Sequence, residues 1–308
     1  MARYLAITGG VGGAKLALGL AHVLTPDEVL FVVNTGDDFE HLGLAISPDL
    51  DTLTYTLADL NNTELGWGRR DETWQCLDTL AELGGESWFR LGDRDLALHF
   101  HRTQLLRAGA SLSQVTAEIA RRLGIRHGLA PMSDQPIRTI VHTAKGALNF
   151  QHYFVRDRCA PAVTGFHFDG IPSARLSPVV ADWLTDCQGV IICPSNPFVS
   201  VDPVLAVPGM REALARLPVV AVSPIVDGMA IKGPTAKMMA ELKVPATAAQ
   251  VASHYGELLT GFVLDEADAA VHDTLPVRTV VTRTVMLTLQ DRIDLARVTV
   301  EFLQSLAH

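Results

Sequence analysis

Thr8-Gly9-Gly10-Val11-Gly12-Gly13-Ala14-Lys15 is the stretch that decides the fold. It follows Tyr4-Leu5-Ala6-Ile7, a continuous apolar run that reads as a buried strand. It leads into Ala14 to Leu24, where apolar residues recur at helical spacing. Glycines at a strand-to-helix turn bring backbone close to a ligand, and the N–H groups opening the helix favour phosphate. The competing reading, a tight turn of small residues chosen for packing, is weaker at a strand's carboxyl end. Neither named phosphate loop fits. Lys15 stands where a dinucleotide fingerprint has its third glycine, and Leu16 follows it in place of the Ser or Thr of a P-loop. Gly10, Gly12, Gly13 and Lys15 are therefore candidate nucleotide-binding residues, with neither NAD nor ATP specified.

Outward from this loop, Val29-Leu30-Phe31-Val32-Val33 is a second buried strand ending at Asn34-Thr35-Gly36-Asp37-Asp38, which completes a βαβ opening. Later runs repeat the pattern. Val190–Cys193 ends at Pro194-Ser195-Asn196-Pro197, Val219–Val222 at Ser223-Pro224, and Phe262–Leu264 at Asp265-Glu266. Thr279–Val281 precedes a C-terminal helix running toward Leu306. The expected fold is α/β: a Rossmann-like, doubly wound, mainly parallel sheet from about residues 1–60 and 176–308, with ligands at the strands' carboxyl ends. The middle third differs. Leu53 to Leu83 and Leu96 to Leu123 are mostly helical in pattern, with Ser111 or Ser113 as an N-cap. Thr139–Thr143 and Leu148–Phe154 alternate like strands around Lys145-Gly146. Residues of about 60–175 are thus expected to form an inserted α+β subdomain over the crevice.

A chain of 308 residues with 48% hydrophobic and 19% charged residues has a well-filled core. The net charge, 25 − 34 = −9, and the absence of a basic block disfavour nucleic acid or an anionic membrane as partner. No apolar run reaches membrane-spanning length and no signal peptide is evident, so a cytoplasmic protein is expected. Cys76, Cys159, Cys187 and Cys193 are scattered and read as small core residues in a reducing compartment.

Asp37, Asp38, Glu40, Asp49 and Asp51 make the segment after the second strand acidic. Carboxylates beside a phosphate loop repel a bound diphosphate unless a divalent cation lies between them, and hard oxygens of both kinds suit Mg²⁺. Asp37 and Asp51 are the candidates for catalysis and metal binding; Asp49 reads instead as the cap of a helix beginning near Leu50. Arg94, in Leu91-Gly92-Asp93-Arg94-Asp95, suits an anion or a flat ring, or equally an ion pair with its neighbours. Ser195 and Asn196 suit a base or sugar, and Lys232-Gly233-Pro234-Thr235 another phosphate. The eleven histidines, His99 and His101 among them, show no metal-ligand spacing and read mostly as packing or surface residues. No nucleophile elbow or Cys/His signature points to covalent catalysis.

Taken together the segments resemble the 2-phospho-L-lactate transferase family of coenzyme F-420 biosynthesis. The stretches that carry the resemblance are TGGVGGAK (8–15), VVNTGDDFEHLGLAISPDLDT (32–52), GWGRRDETW (66–74) and LGDRD (91–95). PMSDQP (131–136), PSNPFVSVDPVLAVPG (194–209) and AVSPIVDGMAIKGPTAKMM (221–239) follow, in the family's order across almost the whole chain. Asp227 stands where the family more often has glycine, and Asp71 falls in a variable tract. The resemblance implies transfer of a phospho-acid from a guanosine diphosphate-linked donor to the ribityl hydroxyl of the deazaflavin Fo, with release of GMP. It implies Mg²⁺ and a homodimer. It implies that Asp51 and Arg94 contact Fo, and that the glycine loop, Asn34, Ser195 and Asn196 face the nucleotide. The donor's acid, phospholactate, phosphoenolpyruvate or phosphoglycerate, is left open; His152 and Ser133 are candidates for choosing it. The alternative is a related non-catalytic regulator that senses a nucleotide sugar on the same core. It is not expected to carry PDLDT or LGDRD, both intact here. An NAD-dependent oxidoreductase would rest on the glycine loop alone.

Overall fold

Strand β1 (Tyr4–Thr8) and strand β2 (Val29–Val33) are buried along their whole length. Their alternate residues feed opposite cores. Leu5, Ile7, Leu30 and Val32 join one, and Tyr4, Ala6, Val29, Phe31 and Val33 the other. A strand covered on both faces needs no polar alternation, which is why these segments are continuous apolar runs. The computed structural model describes residues 2–231 and 233–306. In it, seven parallel strands form one sheet in the order Arg278–Thr282, Gly261–Asp265, Val219–Val222, Gly189–Ile192, β1, β2, Gly128–Pro131. Helix α1 (Gly10–Val23) and the Leu289–Ser305 helix cover one face, where Leu16, Leu20, Leu295 and Leu303 pack together. Met210, Leu214 and Val251 come from helices on the other face. This is the doubly wound, Rossmann-like arrangement expected.

The strand order reverses direction at β1, with β2 on one side and Gly189–Ile192 on the other. Loops leaving β1 and Gly189–Ile192 diverge and open a crevice, the usual ligand position in such sheets. The glycine loop and Pro194-Ser195-Asn196 are those loops.

The middle third is organised differently from its reading. Gly128–Pro131 lies within residues 60–175, yet it pairs in parallel with β2, from Leu30↔Gly128 to Val33↔Pro131. The main sheet therefore draws an edge strand from the middle of the chain. The antiparallel sheet is real: Arg138–Thr143 is central, flanked by Gly146–Asn149 and Val163–Asp169. The second expected strand, however, stops at Asn149. Residues His152–Arg156 form a π-type turn, with Phe150 and Phe154 stacked at a ring separation of 5.4 Å. Leu148, Phe150 and Phe154 fit alternating spacing, whereas Phe150, Tyr153 and Phe154 fit helical spacing, and the helical option buries Tyr153 fully. Ser111 caps its helix through a reciprocal pair with Gln114. Among the cysteines, Cys187 and Cys193 are buried, whereas Cys76 is exposed. No helix among the described residues is long and apolar enough to cross a membrane.

Candidate functional site

A cavity of about 420 Å³ opens at the switch point of the sheet. Its first wall is the glycine loop. Gly10 adopts φ +64° with open space beside it, so its backbone faces the cavity directly. The loop is held from behind. Ser195 Oγ accepts from Gly9 N at 3.2 Å and donates to Gly9 O at 2.8 Å. A Cβ on Gly12 would lie 2.5 Å from Pro194 O, and one on Gly13 equally close to Ser195 Oγ. The two diverging loops thus touch through backbone, and only glycine permits it. Lys15 lines the cavity, and its Nζ donates to Met286 O at 2.8 Å.

The carboxylates stand opposite. Helix α2 (Pro48–Leu57) begins after Ser47, with Asp49 and Asp51 in its first turn. Asp49 is not the cap the sequence implied. Asp49 Oδ1 accepts from Gly10 N at 2.7 Å and Asp49 Oδ2 from Asn34 Nδ2 at 2.9 Å, so this carboxylate fixes the glycine loop. Asn34 itself is fully buried, with its remaining bonds to Val199 O and from Gly36 N. It supports Asp49 and does not line the cavity. Asn196 caps the following turn by accepting from Phe198 N, and it lines the cavity.

Asp37 and Asp49 both line the cavity and are both buried. Burial, then the charge of Asp49, pushes the Asp37 carboxyl well above its ordinary range, and among the described residues Asp37 Oδ1 has no hydrogen-bond partner. Burial pushes Asp49 up to about 6. Neighbouring Asp38, bonded to Ser47 Oγ, is raised to about 7, again chiefly by burial. Two crowded, desolvated carboxylates with an orphaned oxygen are a donor set suited to a hard cation. Among the described residues no three His, Cys, Asp or Glu side chains are grouped to hold a metal. Any cation here completes its shell from substrate and water.

Asp51 differs. Arg102, 3% exposed, grips both of its oxygens, with Nη1 3.0 Å from Oδ2. Arg94 is exposed and outside the cavity wall, its backbone N bonded to Glu72. The next residue of the same tract, Asp95, lines the cavity instead, as do His99 and Tyr55. The expectation from sequence missed all three. Another wall is aromatic, with Trp67, Phe89, Phe150 and Phe154. Of the other expected residues, Ser133 and His152 do not line the cavity. In Lys232–Thr235, Lys232 lies outside the described residues, while Gly233 and Thr235 line the cavity.

Fold and site define a Rossmann-like α/β protein whose cavity joins a glycine-rich loop at a helix N-terminus, a carboxylate cluster and an aromatic wall. The chain belongs to the family 2-phospho-L-lactate transferase CofD, whose model matches residues 5–296. The 2-phospho-L-lactate transferase of Methanosarcina mazei is 38% identical over 263 residues, 85% of this chain and 87% of that one. The phosphoenolpyruvate transferase of Kitasatospora aureofaciens is 42% identical over 275 residues, 86% of each. A UPF0052 family protein from Bacillus halodurans has the same fold, with a TM-score of 0.66, 14% identity, and coverage of 97% of this chain and 98% of that one. This protein is accordingly an enzyme, a phospho-acid transferase of the coenzyme F-420 pathway, and not the non-catalytic regulator.

Proposed function

We propose that the enzyme moves a phospho-acid group from a guanosine diphosphate-linked donor to the ribityl hydroxyl of Fo, releasing GMP. The group is 2-phospholactate, enolpyruvyl phosphate or 3-phosphoglycerate, and the product is coenzyme F-420-0 or its dehydro or glyceryl analogue. The observation that carries this reading is one cavity lined both by the glycine loop with its carboxylates and by Trp67, Phe89, Phe150 and Phe154. The first wall suits a diphosphate and the second a flat heteroaromatic ring.

The reaction is an in-line attack of the Fo hydroxyl oxygen on the outer phosphorus, breaking the bond from phosphorus to the bridging oxygen, which leaves with GMP while the hydroxyl proton passes to solvent. Such transfers need positioning and charge neutralisation more than covalent chemistry. Backbone N–H groups of the glycine loop and α1, with Lys15, hold the diphosphate. Asp37 and Asp49 would hold Mg²⁺, which when bound offsets the charge between carboxylates and phosphates. Asp51, tied up by Arg102, fits that role less well. Held by Arg102, it serves as a fixed acceptor that orients the attacking hydroxyl. The test is GMP release with Fo, a guanosine diphosphate-linked donor and Mg²⁺. Release that requires Fo, and falls by orders of magnitude in Asp51→Asn, is expected. Release independent of Fo would overturn the reading.

A further inference from the structure

The Asp93–Arg107 helix turns a polar face inward. His99 is 1% and Arg102 3% exposed, and Asp95, His99 and Arg102 follow the i, i+4, i+7 spacing of one helical face. They interlock with Asp51 and Tyr55, an i, i+4 pair on α2. Burying such groups costs stability unless each finds a partner, so a face of this kind is retained for a task.

Hydrogen-bond donation fixes the state of the network. Arg102 Nη1 lies 3.1 Å from His99 Nδ1. A guanidinium can only donate, so Nδ1 carries the lone pair and the imidazole proton sits on Nε2. Nε2 is 3.3 Å from Asp95 Oδ1, facing it without the alignment of a full hydrogen bond. The Tyr55 hydroxyl donates to the same oxygen. Among the described residues, both side chains that face Asp95 therefore do so at Oδ1, Tyr55 by a hydrogen bond and His99 by proximity, and Asp95 lines the cavity.

We propose that Asp95 binds a hydroxyl of the acceptor's polyol chain through its second oxygen, and that His99, its tautomer set by Arg102, positions that carboxylate. This rests on the reading of a polyhydroxylated acceptor given above. With Asp51 on the same cavity, two fixed anionic acceptors recognise O–H donors and repel the donor's phosphates and acid group. The acceptor class that fits is a neutral polyol attached to a flat ring. Asp95, and not Arg94, is then the residue through which the LGDRD tract meets it.

Steady-state kinetics of Asp95→Asn, His99→Leu and His99→Gln test the proposal, with wild type turning over Fo as reference. Asp95→Asn presents a donor where an acceptor stood, so the KM for Fo rises about tenfold or more while the donor KM stays within about twofold. His99→Leu shows the same split, and His99→Gln, which keeps an N–H near Nε2, recovers most of the loss. Equal losses in the Leu and Gln variants would overturn the positioning role. An unchanged Fo KM in Asp95→Asn would overturn the inference while leaving the proposed function intact. Failure of the wild type to use Fo would instead overturn that function. Should Asp95→Asn not fold, wild type assayed with acceptors that each lack one of the ribityl hydroxyls other than the attacking one reads the same contact. One of them must lose about tenfold in KM, and equal values for all would overturn the proposal.

Discussion

Asp38 shows most simply what the buried carboxylates cost. Burial holds its carboxyl at about 7, against an ordinary value of 3.8. Between those values the native protein keeps a proton that the unfolded chain gives up. Stability is therefore lost as pH rises through that window, and the penalty is complete above about 7. Asp38→Asn removes the charge. With chelator present, its stability gain over wild type should grow from about pH 4 to about pH 7, level off, and reach about 2–4 kcal/mol by urea unfolding. A gain that does not change with pH would contradict this origin. Asp51→Asn works in the opposite direction, since it leaves Arg102 buried without its counter-charge. It should lose about 3–5 kcal/mol of stability as well as turnover, so its kinetics need a folded fraction measured beside them. At this scale the sequence was partly legible. The carboxylates Asp37 and Asp51 could be singled out by their place after a strand. The phase of a helix entering from a charged turn could not, because which of Asp93, Arg94 and Asp95 faces inward depends on partners far away in the chain. Asp49 was misread for a related reason: its use is a bond to Gly10, 39 residues distant. The one available signal was the 95, 99, 102 spacing, which ties a histidine to two charged residues of its own helix face.

At the scale of elements, two loops pressed backbone to backbone hold the glycine-rich wall of the cavity in place. Gly12→Ala would put a Cβ 2.5 Å from the Pro194 carbonyl oxygen, forcing the loops apart. Gly19→Ala would collide with the Arg292 carbonyl oxygen, where α1 crosses the C-terminal helix, at a residue that does not line the cavity. Both substitutions should destabilise by about 1–3 kcal/mol in thermal or chemical unfolding. Only Gly12→Ala should also raise the KM for the nucleotide donor, while Gly19→Ala leaves it near wild type when assayed below its melting temperature. Equal donor KM effects in the two variants would mean that the loop contact does not shape the site. The glycine loop and the two buried strands were readable because strand, turn and helix signals agree there. Leu148–Phe154 was not, since its apolar spacing suits both periods and the choice is made by what Phe150 and Tyr153 bury against.

At the scale of the whole molecule, the arrangement follows from one reversal of strand order. The chain winds outward from β1 in both directions, and its two longest excursions from the sheet, on either side of the edge strand Gly128–Pro131, supply the aromatic wall, the first of them also the Asp93–Arg107 helix. The parallel sheet could be read from apolar runs ending in turn residues. Its edge strand could not: Gly128-Leu129-Ala130-Pro131 is short, weakly apolar and ends in proline, a pattern permitted at an edge and easily taken for a turn. The most direct test of the account is the mass of the deazaflavin formed when the enzyme is supplied with Fo, Mg²⁺, GTP, a guanylyltransferase and each phospho-acid in turn. The expected product is heavier than Fo by one phospho-acid unit, with that mass naming the donor's acid. Unchanged Fo with every acid, from folded enzyme and a donor shown to have formed, would contradict it.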